Sequence, residues 1–470
     1  MFGLLSEGSE NDWTRIARVA VDLAKIFKAY DVRGIYPDQF DEDAAYRIGR
    51  AFARWIGAER IVLGRDCRLS SPALAEAFAH GVVTSGLAIV DIGLATTDMV
   101  YFTSGRLGLP GAMFTASHNP PQYNGLKLCR ERAAPVGEES GLREIRALAE
   151  RESPRPATSP AMATERMEHR DMIEPYIEHL LTFADASRMA PLTVVADAAN
   201  GMAGLVVPVL FERLPAKLVP LYMELDGTFP NHPADPIQPE NQADVKRTVT
   251  EMGADLGLAF DGDADRVFLV DEHAGGVGGS LVTALVAKGM LERYPGAIIL
   301  HNLITSRVVP EVIREYGGTP IKTRVGHSFI KQVMAETGAV FGGEHSGHYY
   351  FRDHYNADSG LVASMVVMDQ MSNAGKPLSE LLAPFRRYFD SGEINTEVED
   401  KEAAIARVAA AYPPERQSRL DGLTVEYEDW WFNVRPSNTE PLLRLNVEAT
   451  SEELLKEKTT EALALIRGER

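Results

Sequence analysis

Cysteine is nearly absent: Cys67 and Cys129 are the only two in 470 residues. Two thiols cannot build a disulfide framework, and no Cys/His cluster has the spacing of a zinc site. Basic residues fall short of acidic ones, 48 Lys plus Arg against 67 Asp plus Glu, for a formal charge of −19. That balance argues against a dedicated nucleic-acid binder, which needs a basic footprint. It leaves anionic small substrates open, because a few cations in one cleft outweigh the global field locally. No apolar run approaches the roughly 18 residues needed to cross a bilayer, so no membrane partner is expected. Met1 to Asn11 has a short apolar patch without a basic flank. It does not read as a signal peptide, and the cytoplasm is the expected compartment.

The chain does have the apolar content of a globular protein, 45%. Its length suggests three or four domains at about 150 residues each. Helical spacing of apolar residues predicts amphipathic helices over 12–27 and 41–56, the second stopped by Gly57. One pattern then recurs: a short apolar strand, a polar turn, a helix. It appears at 61–66 with a helix from Ser71, at 192–201, and at 297–302 with a helix from Thr305. Such alternation implies parallel sheets covered on both faces, in three similar α/β domains. Residues 151–165, rich in Pro, Ser and Ala, read as a linker. Ala274–Ser280 holds four glycines and reads as a hinge or turn, because it lacks the third glycine of a dinucleotide fingerprint. Strand-like 423–427, 430–434 and 442–447 before a helix from Ser451 indicate a separate α+β domain.

Four segments carry chemistry. Thr115-Ala116-Ser117-His118-Asn119-Pro120 follows an apolar stretch. A serine beside a histidine on that corner suits a nucleophile, although taken alone an ordinary polar turn is the commoner reading. No Gly-x-Ser-x-Gly elbow is present, which argues against an acyl-transfer hydrolase. Asp261-Gly262-Asp263-Ala264-Asp265-Arg266 sets three carboxylates at i, i+2 and i+4 between apolar runs. They can converge on one hard cation, and without it their repulsion is costly. An EF-hand is excluded, since Arg266 stands where its loop needs glycine and the flanks are strands. Gly342-Gly343-Glu344-His345-Ser346-Gly347-His348 combines close backbone approach with directional contacts to hydroxyls. Arg435-Pro436-Ser437-Asn438-Thr439 offers one cation and several donors, as a phosphate requires.

In order and spacing these segments, with Tyr30-Asp31-Val32-Arg33-Gly34, resemble the α-D-phosphohexomutase superfamily from about Phe27 to the C-terminal helix. The nearest likeness is to its bacterial phosphomannomutase/phosphoglucomutase branch. The resemblance implies three α/β domains with mixed sheets plus a smaller C-terminal α+β domain around a central cleft. The segments are 1–172 for the phosphoserine, 173–276 for the metal, 277–388 for the sugar and 389–470 for the phosphate. The implied reaction interconverts hexose 6-phosphate and hexose 1-phosphate, mannose before glucose, through phosphorylated Ser117 and a bisphosphorylated sugar that turns around in the cleft. One Mg²⁺ would sit on Asp261, Asp263, Asp265 and the Ser117 phosphate, and hexose 1,6-bisphosphate would be the activator.

By the same resemblance Arg33, Lys127, His118 and His348 stabilise charge and move protons, and Arg266 touches the phosphate. Glu344, Ser346 and His327 face the sugar, and Arg435, Ser437, Asn438 and Thr439 hold the phosphate not being transferred. No protein partner is implied. The chain departs from the pattern at Ile304, where dual-specificity members carry a lysine, and at Asp358-Ser359-Gly360, where two acids before glycine are usual. Two rivals are a phosphoglucosamine mutase, whose sugar loop is similar, and a metal-dependent phosphatase, which would not need the 435–439 clamp.

Overall fold

The computed structural model of the chain describes residues 21–156, 164–437 and 442–469. Most of the expected 12–27 helix lies outside them, and its described part is Leu23–Ile26, capped by the Asp22 carboxylate. Part of the linker, Asn438 and Thr439 also lie outside.

Four sheets succeed one another along the chain. The first contains β1 (Val32–Ile35), β2 (Arg60–Arg65), β3 (Ala88–Leu94), β4 (Gly111–Phe114), β5 (Tyr123–Cys129) and β6 (Met167–His169), in the order β1-β5-β4-β2-β3-β6. The second contains β7 (Thr193–Asp197), β8 (Lys217–Leu221), β9 (Leu256–Phe260), β10 (Val267–Val270) and β11 (Gly276–Val277), in the order β11-β10-β9-β7-β8. The third contains β12 (Ile298–Asn302), β13 (Thr319–Thr323), β14 (Phe341–Gly343), β15 (Tyr349–Phe351) and β16 (Ala357–Asp358), in the order β13-β12-β14-β15-β16. The fourth contains β17 (Phe389–Glu397), β18 (Gln417–Ser418), β19 (Leu423–Glu426), β20 (Trp430–Pro436) and β21 (Leu442–Ala449), antiparallel in the order β17-β21-β20-β19-β18.

The first three sheets repeat one device. Three parallel strands, β3-β2-β4, β8-β7-β9 and β13-β12-β14, are each followed by an antiparallel strand, β5, β10 or β15. The sheets are therefore mixed. The resemblance implies mixed sheets, as found; strand–helix alternation alone points to parallel ones, but the third strand of each unit turns straight back as a hairpin. Those three hairpins carry the chemistry-bearing loops 115–122, 261–266 and 344–348. All three emerge at the carboxyl ends of parallel strands, where open α/β sheets place their ligands.

Local signals match the elements where they are strongest. Glu42–Ile56 starts at Asp41, whose Oδ1 accepts from the Ala44 N–H at 2.9 Å, and ends at left-handed Gly57. The helix expected from Thr305 begins three residues later, at Val308, because the Ser306 hydroxyl first takes the Val308 N–H in a turn. The expected hinge or turn at 274–280 begins in the turn between β10 and β11, where the Ala274 N–H donates to the Asp271 carbonyl at 2.9 Å, and continues as edge strand β11 and, after Gly278, helix Gly279–Arg293. Gly279 serves close approach there: a Cβ on it would lie 2.3 Å from the His345 carbonyl oxygen.

One apolar core runs through the first three domains, joining Phe102 and Met113 to Tyr176, Val206 and Leu258 and on to Leu285, Phe341 and Phe351. The fourth domain has its own core around Phe432, Val434, Leu445 and Ile466. It meets the third domain through polar contacts, chiefly Arg307, which donates to the Glu428 and Trp430 carbonyls and through its backbone N–H to Glu448. Two separate cores joined by a polar seam allow the fourth domain to move relative to the rest.

Candidate active site

Ser117 sits at the carboxyl end of β4 with φ 48, a left-handed backbone that a serine adopts only where its surroundings enforce it. The enforcement is visible. Arg68, buried, donates to the carbonyls of Ser117 (2.8 Å), Asn119 (2.6 Å), Pro120 (2.8 Å) and Tyr123 (3.1 Å). Its Nε is held by Asp66 at 3.1 Å. Arg33, from β1, donates to the Ala116 carbonyl at 2.9 Å and to Asn119, and pairs with Asp31. Two arginines thus clamp the loop from both sides.

The second domain supplies the other wall. The Ser117 hydroxyl donates to Asp261 Oδ2 at 2.7 Å. Gly262 makes this possible, since a Cβ there would lie 2.4 Å from the Ser117 carbonyl oxygen. Arg266 Nε donates to the same Asp261 oxygen at 3.0 Å, and its Nη2 lies 3.4 Å from Ser117 Oγ. Asp263 and Asp265 are both bonded by Lys127 Nζ, at 2.8 and 2.6 Å, and the Thr97 hydroxyl donates to Asp263 at 2.5 Å.

All three aspartates are buried, with one carboxylate oxygen from each within 4.8 Å of the others. Asp263 Oδ1 and Asp265 Oδ1 are buried and have no hydrogen-bond partner. Two orphaned carboxylate oxygens beside a third carboxylate are what an all-oxygen divalent cation site requires, so the residues fit such an ion. Electrostatics split the group. Burial pushes the Asp261 carboxyl up in spite of Arg266. Burial works against ionising Asp263 as well, yet the charge and hydrogen bond of Lys127 hold it well below the usual range.

His118 Nδ1 lies 3.1 Å from Ser117 Oγ. The Arg266 charge, then burial and Arg33, keep the imidazole well below its ordinary 6.5, so it is neutral at pH 7. His348 comes from the third domain, its backbone bridged to Arg266, its Nδ1 3.0 Å from Ser346 Oγ and its Nε2 4.0 Å from Asp265. Glu344 is buried, accepting from Asn302 and the Gly326 N–H (each 3.2 Å) and from the Tyr350 hydroxyl (2.7 Å). His327 opens the helix His327–Thr337 beside that N–H.

The arrangement brings loops of three domains to one point. Arg435 stands apart, at the end of β20, buried and bonded to Asn446 (2.9 Å) and Glu393 (2.6 Å). Ser437 follows it, donating its N–H to the Leu442 carbonyl. Ile304 lines a small cavity with Ser306, His345 and Trp431, and among the described residues no lysine or arginine lines it.

Models described as phosphoglucomutase/phosphomannomutase alpha/beta/alpha domains I, II and III and C-terminal domain match residues 24–156, 174–278, 278–388 and 393–464. The chain belongs to the phosphoglucomutase/phosphomannomutase family. It is 41% identical over 452 residues to a phosphomannomutase of Salmonella montevideo, covering 94% of this chain and 99% of that protein. It is 42% identical over 448 residues to a phosphohexose mutase of Xanthomonas campestris, with the same coverage. A solved phosphoglucomutase/phosphomannomutase family protein from Burkholderia thailandensis superposes with a TM-score of 0.85 at 32% identity, over 95% of this chain and 98% of the other. The chain is an enzyme of the phosphohexomutase type, and the acidic cluster of this family member can bind a metal.

Arg68, Asp66 and Thr97 escaped the sequence reading. Asp66 and Arg68 follow Gly64-Arg65 at the end of a strand, and three charged residues at a strand's carboxyl end were the available signal. Thr97 gave none, because its role depends on a helix start meeting a loop far away in sequence. Among the described residues no helix is long and apolar enough to cross a membrane.

Proposed function

We propose that this mutase interconverts hexose 6-phosphate and hexose 1-phosphate, mannose preferred and glucose accepted, through a phosphorylated Ser117. The observation that carries the reading is the strained, doubly clamped Ser117, its hydroxyl 2.7 Å from the acidic cluster of a second domain. In the first half-reaction a free sugar hydroxyl attacks the Ser117 phosphorus, the P–Oγ bond breaks, and the sugar becomes a bisphosphate. After the sugar turns around, Ser117 Oγ attacks its other phosphorus, the bond from that phosphorus to the sugar oxygen breaks, that oxygen takes up a proton, and the phosphoserine is restored as the hexose monophosphate leaves. In each half-reaction the attacking hydroxyl gives up a proton and the departing oxygen takes one, so proton carriers are needed on both sides. Neutral His118 is within reach of Ser117 Oγ, and His348 faces the cluster from the sugar side.

Asp261, Asp263 and Asp265, with an oxygen of the Ser117 phosphate, would hold one Mg²⁺, which when bound supplies charge neutralisation. Lys127, tied to two of these carboxylates, and Arg266 and Arg33 offset the developing charge from the protein side. Glu344 and Ser346, together with His327, would take the sugar hydroxyls. Arg435 and Ser437, joined by Asn438 and Thr439, take the distal phosphate, for which Arg435 exchanges its bond to Glu393. The segments 1–172, 173–276, 277–388 and 389–470 divide these tasks. Hexose 1,6-bisphosphate would load Ser117, and the cytoplasm is the compartment that accords with charged sugar phosphates as substrates. Relatives named phosphomannomutase and phosphohexose mutase, 41% and 42% identical, favour this reading over the glucosamine and phosphatase alternatives. A coupled assay with mannose, glucose and glucosamine 1-phosphates and a trace of bisphosphate tests the reading. Mannose 1-phosphate should turn over fastest, and a preference for glucosamine or net phosphate release would refute it.

A further inference from the structure

A cavity of about 1370 Å³ opens on the seam between the first and third domains. Neither Ser117, the three aspartates nor Arg435 lines it. Six arginines do, Arg130, Arg132, Arg143, Arg146, Arg324 and Arg352, with two lysines against three glutamates. That reverses the balance of a chain carrying a formal charge of −19. Arg143 pairs with Glu138, Arg146 with Glu150 and Arg352 with Asp353. Arg130, Arg132 and Arg324 are exposed, and among the described residues no carboxylate lies within ion-pair distance of them.

The backbone holds one of these arginines in place at a cost. Arg132 and Ala133 are consecutive left-handed non-glycine residues, φ 60 and 58. Such a pair persists only where packing enforces it. Here Ala133 is buried against Tyr101, Cys129 and Ala357, and its N–H donates to the Ser104 hydroxyl at 3.1 Å. The cavity also has an aromatic side, formed by two rings set nearly perpendicular to each other. Arg324 lies over the Phe329 ring, 4.1 Å from its centroid, and Tyr30 meets that ring edge-on at 6.3 Å.

We propose that this seam binds a nucleoside diphosphate, its phosphates on Arg130, Arg132 and Arg324 and its base on the Phe329–Tyr30 wall. Guanidinium groups grip phosphates with paired hydrogen bonds, and aromatic faces take a flat ring. The cavity exceeds the roughly 300–1,000 Å³ usual for small-ligand pockets, so a hexose monophosphate underfills it. Calorimetric titration of the full-length enzyme with GDP and with ADP, at saturating hexose 6-phosphate, tests this. At least one nucleotide should bind saturably in spite of the sugar phosphate. The Arg130→Ala/Arg132→Ala double variant should weaken that binding at least tenfold while leaving mutase turnover unchanged, and Phe329→Leu should weaken nucleotide binding but not pyrophosphate binding. Absence of saturable binding by either nucleotide, displacement by hexose 6-phosphate, or an unaltered double variant would overturn the proposal. Pyrophosphate binding as tightly as both nucleotides would overturn its nucleoside part.

Discussion

The aspartate loop 261–265 and Arg435 are both buried charge, and they are satisfied in opposite ways. The loop has two carboxylate oxygens with no partner, whereas the Arg435 guanidinium is bonded to Glu393 and Asn446. The loop also belongs to domains that share one apolar core, while Arg435 rides on a domain with a core of its own. An under-satisfied cluster on a fused scaffold is built to receive a ligand without moving. A satisfied cation on a separable domain must exchange a partner to act, which suits a grip that closes and releases. In the proposed mechanism the chemistry sits on the fused scaffold and the phosphate grip on the separable domain.

The sharpest way to break this comparison is at the fixed end. Ser117→Ala removes the covalent route and should cost on the order of 10⁴-fold or more in kcat, read in the coupled assay. Asp263→Asn should cost about 10²- to 10³-fold in kcat with little change in the apo melting temperature. In wild type, added Mg²⁺ should raise the melting temperature through binding to the folded state, and in Asp263→Asn that rise should vanish. An undiminished rise would place the cation elsewhere. At the mobile end, Arg435→Ala should act on KM. Loss of a charged hydrogen-bond partner costs about 1.5–3 kcal/mol, roughly 10- to 150-fold, and more bisphosphorylated sugar should escape per turnover. The smallest effect belongs to Arg307→Ala, which loosens the docking of the fourth domain. It should change KM and kcat by about fivefold or less, at roughly 1 kcal/mol, and leave Ser117 phosphorylation untouched.

What was legible in the sequence follows the same division. The Asp261–Asp265 triplet and the Thr115–Pro120 loop are contiguous, so their residue types betray them. The recurring strand–turn–helix openings and the capped helix Glu42–Ile56 were legible because caps and periodicity are local. The hairpins that make the sheets mixed are implied by the family resemblance but hidden from residue patterns, since an antiparallel strand of four buried residues such as β10 has the composition of a parallel one. Pairings across domains were hidden as well. Nothing in the sequence shows that Thr97 caps Asp263, that Lys127 spans Asp263 and Asp265, or that Glu393 occupies Arg435. Each depends on elements that meet only after the sheets are packed.

The most direct test of the central claim is the intact mass of the protein after incubation with hexose 1,6-bisphosphate. The account predicts a gain of one phosphoryl group in the wild-type chain, the same gain in Arg435→Ala at sufficient bisphosphate, and none in Ser117→Ala. A Ser117→Ala protein that takes up a full phosphoryl group at another residue would contradict it.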